Sequence, residues 1–275
     1  MSTTTFRFGA PPASDFTVEP TDEQVAFFRE NGFLAVERIT TDEEIDWLRP
    51  IFEAAFDESD GKMAPQAKKA EIQTMFPELR YPELMHTTFL RNAKRFAAAL
   101  LDVDVAELTS WGHMIRKPVV GSRPAPWHQD EAYWEPEVDY PKALGSWLPL
   151  HDVTVEMGTM QFIPGSHRLG VFEHEFWDDD PAHNLLEAVG VDKAKAVACP
   201  LPKGGCTFHD KRTLHFTEPN TTDEPRYAYP IEHQVAPSLR AEPLRYRWVD
   251  EYRAAVGHDG LPPKGYIADA GFVRY

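Results

Sequence analysis

From Leu108 to about residue 235 the chain breaks into short apolar runs separated by Gly- and Pro-marked turns, among them Val119-Val120-Gly121, Pro164-Gly165 and Lys203-Gly204-Gly205. Runs this short, closely spaced and bounded by breakers, read as strands of a sandwich or barrel rather than as helices. Trp147-Leu148-Pro149-Leu150 and Met160-Gln161-Phe162-Ile163 bracket a turn at Glu156-Met157-Gly158. Cys206-Thr207-Phe208 and Tyr227-Ala228-Tyr229 bracket a second region further along. The middle of the chain is therefore expected to be all-β.

Upstream the pattern is helical. Thr21-Asp22-Glu23-Gln24 predicts a capping box that opens a helix, which Gly32 ends. Phe33 to Val36 reads as a strand, and Thr41-Asp42-Glu43-Glu44 opens a second helix carrying Ile45, Leu48, Ile51 and Phe52 at helical spacing. A charged stretch of low order from about Glu58 to Gln73 precedes a third helix predicted over Leu84 to Leu101. The expected organisation is one domain over 1–275: an irregular arm (1–20), a mostly helical buttress (21–104), a β core (105–235) with an acidic, partly helical insertion (170–198), and a C-terminal cover (236–275).

A formal net charge of −16 argues against a nucleic-acid groove or an anionic membrane surface as partner, because both need clustered Lys and Arg. Two cysteines, Cys199 and Cys206, in a chain of this size fit a reduced compartment without disulfides. Met1 to Phe16 lacks a basic region followed by an apolar stretch, and no segment approaches a membrane span. A cytoplasmic protein with a small-molecule substrate is the expectation.

Within the β region stands His128-Gln129-Asp130, followed 85 residues after Asp130 by His215, and then by Arg226. Strand side chains alternate with period two, so His128 and Asp130 share a face and can grip one ion. With His215 from a later strand they would occupy one face of an octahedron about Fe(II), leaving the other for a bidentate 2-oxo acid and O2. Arg226, on a following strand, would grip the far carboxylate of that acid through a planar fork that Lys cannot reproduce. His209, six residues before His215, is open to either a substrate contact or a role on the same face apart from the metal. His167 reads as a turn residue, and His113 and His151 as hydrogen-bonded strand histidines. Trp127, Tyr133 and Trp134 either pave a substrate wall or pack across strands. Arg116, Arg123, Lys211 and Arg212 read as surface charge balance, with attraction of an anionic substrate as the alternative.

These residues lie in longer motifs: Lys117 through Trp127-His128-Gln129-Asp130, Trp147 to Thr154, Glu156-Met157-Gly158 through Pro164-Gly165-Ser166-His167-Arg168, Leu214 to Asn220, Pro225-Arg226, and Asn31-Gly32-Phe33-Leu34 near the start. In these the chain resembles the phytanoyl-CoA dioxygenase family, a branch of the Fe(II)/2-oxoglutarate oxygenases. The resemblance implies a double-stranded β-helix, a jelly-roll barrel with N-terminal helices packed on one sheet. It implies iron ligands His128, Asp130 and His215, a carboxylate anchor in Arg226 with Thr217 as hydroxyl donor, and Gln129, Trp147 and Lys117 lining the co-substrate pocket. Met157 departs from the family, which commonly has Asn between the Glu and the Gly. Asp130 is kept, whereas related halogenases lose it, which favours hydroxylation. The implied activity is oxidation of an unactivated C–H of a small or medium-sized metabolite with 2-oxoglutarate and O2, releasing succinate and CO2. A jelly-roll isomerase or hydrolase would leave Arg226 and Thr217 without a duty, and a non-catalytic binding barrel would have no use for the intact ligand set.

Overall fold

Thr21 opens α1 (Asp22–Asn31) with the reciprocal bonds of a capping box: its Oγ1 accepts from Gln24 N at 3.2 Å and its own N donates to Gln24 Oε1 at 2.9 Å. Gly32 ends the helix at φ +80°, a conformation that costs glycine no steric strain. The chain turns at once into β1 (Phe33–Val36) and then α2 (Asp42–Asp60). The computed structural model describes residues 6–60, 72–178, 181 and 185–257. Most of the stretch expected to be of low order, 61–71, lies outside the described residues, while Ile72 and Gln73 begin a strand, β2 (Ile72–Met75).

The third helix, expected from Leu84, begins four residues later as α3 (Thr88–Leu101). Pro82–His86 form a 3-10 turn, and Thr87 is extended with its hydroxyl accepting from Leu90 N at 3.2 Å. The fully buried Glu44 of α2 takes the amides of Thr88 and Phe89. A carboxylate on the first free N–H groups fixes the start of a helix more firmly than the apolar periodicity that runs through it.

The β region follows as β3 (Leu108–Lys117), β4 (Ala125–His128), β5 (Val138–Asp139), β6 (Ala143–Pro149), β7 (Met160–Phe162), β8 (His174–Phe176), β9 (Leu186–Ala188), β10 (Val197–Ala198), β11 (Cys206–Asp210), β12 (His215–Thr217), β13 (Arg226–Val235) and β14 (Ser238–Leu239). They pair into a six-stranded sheet, β1-β11-β6-β13-β3-β2, and a four-stranded one, β10-β7-β12-β4, as a jelly roll requires. The insertion differs from expectation. Its described residues hold the antiparallel pair β8–β9, 3-10 turns at Pro181 and at Lys193–Lys195, and the short β10, with no α-helix. Beyond residue 236, β14 pairs with β5, and α4 (Arg247–Val256) follows; 258–275 lie outside the described residues.

One face of the larger sheet is roofed by α2 and α3. Phe96 stacks on Phe208 at 5.2 Å, Phe52 meets Tyr229 edge-on at 5.5 Å, and Leu144, Leu148 and Ile231 join the same core. Alternation turns their neighbours His209, Gly145, Trp147 and Glu232 to the opposite face. That inner face packs on the smaller sheet through a second core, in which Phe33 stacks on Phe162 at 4.7 Å beside Trp147, Met160 and Ala228. No helix among the described residues is long and apolar enough to cross a membrane.

The roof is large and fully buried, so truncating it should be felt globally. Phe96→Ala is expected to destabilise the protein by about 3–5 kcal/mol, seen as a lower urea midpoint at unchanged slope.

Candidate metal centre

His128 ends β4 and His215 begins β12, and the two are direct cross-strand partners. Their rings lie 4.1 Å apart between centroids. The strand proper stops at His128, and Asp130 opens a 3-10 turn, Asp130–Tyr133. Gln129 nevertheless keeps extended dihedrals (φ −123°, ψ 136°), so alternation persists through one more residue and brings Asp130 to the side of His128. Asp130 Oδ1 lies 3.9 Å from His128 Nε2 and 3.5 Å from His215 Nε2. One donor atom from each of the three residues falls within 4.8 Å of the others, a spacing that fits a single ion.

Both imidazoles are fixed by carbonyls. His128 Nδ1 donates to Pro126 O at 2.6 Å and His215 Nδ1 to Thr213 O at 2.9 Å. That places the ring protons on Nδ1 and leaves the Nε2 lone pairs facing the carboxylate, the usual support for metal-binding histidines. Burial, followed by the neighbouring His128, holds the His215 pKa well below the ordinary imidazole value, so the ring stays neutral as a ligand must. Burial pushes the Asp130 carboxyl upward, but the imidazoles of His215, His209 and His128 outweigh it and keep the group ionised.

Asp130 is held from three directions. His209, on β11, donates Nε2–H to Asp130 Oδ2 at 3.1 Å, which leaves Oδ1 for the ion. Before it, the fully buried Gln129 donates to the carbonyls of Gly170 (2.9 Å) and Arg212 (2.5 Å) and accepts from Phe172 N (2.7 Å). After it, Glu131 is gripped by Arg212 through Nε (2.5 Å) and Nη2 (2.9 Å), with Lys211 Nζ 3.5 Å away. Trp248 of α4 donates its indole N–H to Ala132 O at 2.8 Å, which ties the C-terminal segment to the same turn.

Deeper in the barrel lies a basic end. Arg226 opens β13, is 1% exposed, and sets its guanidinium over the Trp147 ring at 5.2 Å. Its register partner Lys117 is fully buried and donates Nζ to the carbonyls of Arg123 (2.8 Å), Glu218 (2.9 Å) and Thr217 (3.3 Å). Thr217, two residues past His215 on the same face, has a buried Oγ1 with no hydrogen-bond partner among the described residues. A buried cation beside an unsatisfied hydroxyl, with the ligand trio further along, fits a dianionic chelator.

Among the expected site residues, the structure brings His128, Asp130, His215, Thr217, Trp147, Lys117 and Arg226 to the barrel interior. Gln129 is a correction: alternation turns its amide away from the ligand face, and backbone groups occupy it. Lys211 and Arg212 are a second, since they neither balance surface charge nor stand ready for an anion but neutralise the buried Glu131. His113 is a third. Its Nε2 makes no hydrogen bond among the described residues, and burial lowers its pKa to about 4. Trp127 stacks on Phe216 at 5.1 Å in a separate apolar cluster, whereas the Tyr133 hydroxyl accepts from Leu186 N at 3.0 Å and its ring meets His128 edge-on at 5.6 Å, beside the candidate centre. His167 caps the end of α1 through Arg29 O at 3.2 Å. The roles of Glu131 and His209 beside Asp130 were hidden, because each depends on a partner some 80 residues distant. Parity with His215 was the one available signal for His209.

Comparison with known proteins agrees with this geometry. A 2-oxoglutarate complex of EvdO2 from Micromonospora carbonacea var. aurantiaca superposes with a TM-score of 0.76 at 32% identity, covering 86% of this chain and 99% of that one. A phytanoyl-CoA dioxygenase domain-containing protein 1 homolog of Dictyostelium discoideum is 22% identical over 264 residues, covering 77% of this chain and 90% of the relative. A probable alpha-ketoglutarate-dependent hypophosphite dioxygenase of Stutzerimonas stutzeri is 33% identical over 110 residues, with 38% of this chain and 37% of that protein aligned. The family model for phytanoyl-CoA dioxygenase matches residues 28–228, an interval that takes in every ligand candidate and Arg226. The chain belongs to the phytanoyl-CoA dioxygenase family, a branch of the Fe(II)/2-oxoglutarate-dependent oxygenases.

Proposed function

We propose that the chain oxidises an unactivated C–H bond of a small or medium-sized organic metabolite, by hydroxylation, with 2-oxoglutarate and O2 as co-substrates. The observation that carries this reading is the alignment, along one barrel interior, of His128, Asp130 and His215 with the buried Arg226 and the unsatisfied Thr217 hydroxyl. His128, Asp130 and His215 would hold a ferrous ion, which together with 2-oxoglutarate and O2 would supply the oxidising power for the substrate C–H, with succinate and CO2 as the co-products.

The chain's own residues organise that chemistry. His128 and His215 present preset Nε2 lone pairs, and the bond from His209 to Oδ2 restricts Asp130 to one donor oxygen. A metal held by these three side chains alone would keep positions free for a chelating acid and O2. Arg226 would receive the far carboxylate as a planar fork, with Thr217 donating a hydroxyl hydrogen beside it. Lys117 adds positive charge at the same end while bracing the carbonyls that close β12. Phe162 and Met160 line the opposite sheet and keep water out, which strengthens each polar contact in the pocket.

Adding Fe(II) and 2-oxoglutarate without O2 should give a visible metal-to-ligand charge-transfer band, and substrate with O2 should then release succinate. His128→Ala and Asp130→Ala are expected to lose both the band and turnover; a band that survives either change would remove these residues from the ligand set. Arg226→Lys keeps the charge and loses the fork, and should raise the 2-oxoglutarate requirement by about tenfold or more, the worth of a charge-assisted hydrogen bond. Titrating the band with 2-oxoglutarate reads this directly. His209→Phe keeps a ring and removes the donor to Asp130, and Fe(II) affinity should fall about 10–100-fold, measured by competition with a chelator.

A further inference from the structure

Two adjacent cations on α3 are answered differently. Arg95 Nη1 pairs with Glu19 at 2.7 Å, whereas the half-buried Lys94 has no ion pair or hydrogen bond among the described residues. Lys94 lines a cavity of about 310 Å³ between α3, the Pro82–His86 turn and β3, a volume at the lower end of small-molecule pockets. His86, Arg91 and Ser110 line it too, and no acid does. Arg91 donates Nη2 to the carbonyls of Ser14 (3.1 Å) and Phe16 (2.9 Å), which leaves Nε and Nη1 without a partner among the described residues. The acids of the flanking turn and helix are taken up by backbone: Glu83 accepts from Phe8 N, and Glu44 from Thr88 N and Phe89 N. In a chain of formal net charge −16, two cations and a histidine around one cavity run against the composition and favour an anion. Burial lowers the Lys94 pKa below the ordinary lysine value, a penalty that an anion at its ammonium would offset.

Ser110 adds a second criterion. It is 4% exposed, and its hydroxyl meets His233 Nδ1 at 2.8 Å, while Ser146 Oγ lies 3.0 Å from His233 Nε2 and donates to Ile231 O at 3.2 Å. With the Ser146 hydrogen given to Ile231, Nε2 carries the ring hydrogen and Nδ1 accepts. Burial holds the His233 pKa at about 3, so the ring is neutral. The Ser110 hydrogen is therefore committed to Nδ1, and its oxygen can only accept from a molecule in the cavity.

We infer that this cavity binds a small anion bearing a hydroxyl group, a phosphate monoester or a hydroxy acid, with its charge at Lys94 and Arg91 and its hydroxyl donating to Ser110. Strand alternation puts Ser110 and Met114 on the α3 side of β3, and Lys117 on the side of the candidate metal centre. The six-stranded sheet thus stands between the cavity and the three candidate ligands, and the anion held here is not the molecule oxidised. The inference does not depend on the oxygenase reading.

The test uses the full chain with Fe(II) and 2-oxoglutarate in the absence of O2, titrated by calorimetry while the charge-transfer band is followed. Glycerol 3-phosphate and glycerate are the hydroxylated anions, propyl phosphate and propionate their counterparts without hydroxyls, and glycerol the neutral control. At least one hydroxylated anion should bind with the band at full height, its counterpart severalfold more weakly, and glycerol not at all; the tighter of the two identifies phosphate or carboxylate as the head group. Lys94→Ala and Arg91→Ala should each raise its Kd tenfold or more, the worth of a charge-assisted hydrogen bond. Lys94→Arg should retain most of the affinity, and Ser110→Ala should remove the preference for a hydroxyl. Lys142→Ala, at an exposed lysine bound to Asp102 O beyond the other end of α3, should change nothing. The inference is overturned by no binding of either hydroxylated anion, by loss of the band as it binds, by equal wild-type affinity for the counterparts, or by as large a loss in Lys142→Ala as in Lys94→Ala. Should the band never form, the calorimetry still decides the cavity, and only the oxygenase reading falls.

Discussion

The pairing of β4 with β12 in a register that sets His128 opposite His215 is the constraint on which the rest depends. Period-two alternation means that a slip of one residue would send either imidazole to the far face of the sheet and disperse the site. The register is held by apolar packing on both sides of the strand pair. Phe162 sits opposite His215 on the inner face, while Phe216 stacks on Trp127 on the outer one. The geometry of the candidate metal centre is therefore a consequence of how two sheets pack, and the proposed ligands themselves add only the chemistry.

Placing so many polar groups inside a barrel opposes folding, because Asp130, Lys117, Arg226 and Glu131 all lose water. The fold offsets this in two ways. Glu131 is neutralised by Arg212 and Lys211, and Lys117 is surrounded by three carbonyls. The opposite face of the same sheet buries an aromatic and aliphatic core under α2 and α3, where Phe52, Phe56, Phe89 and Phe96 are almost wholly enclosed. One face stabilises the sheet and the other is free to be polar, which is why the helical buttress matters to a site it never touches.

Local signals were read well where the cause is local. The capping box at Thr21, the left-handed Gly32, the strand at Phe33 and the turn through Gly158 each follow from a few adjacent residues. Reading failed where a distant group decided. The start of α3 depends on Glu44, 44 residues upstream of Thr88, and the insertion holds a strand pair where an acidic stretch suggested helix. Gln129 shows the same limit within the site. Its place beside two ligands suggested a pocket role, but its orientation follows from alternation and its partners come from the loops at 170–172 and at 212.

By itself the sequence determined the residue types of the candidate metal centre, their order, the all-β character of the middle of the chain and the Arg that follows, because chemistry and strand period are written in single residues and short spacings. Only the tertiary structure decided which of the eleven histidines supports the carboxylate and which basic groups are consumed in neutralising Glu131. Those relations arise across strands remote in the chain, where sheet register, and not sequence distance, sets what touches what.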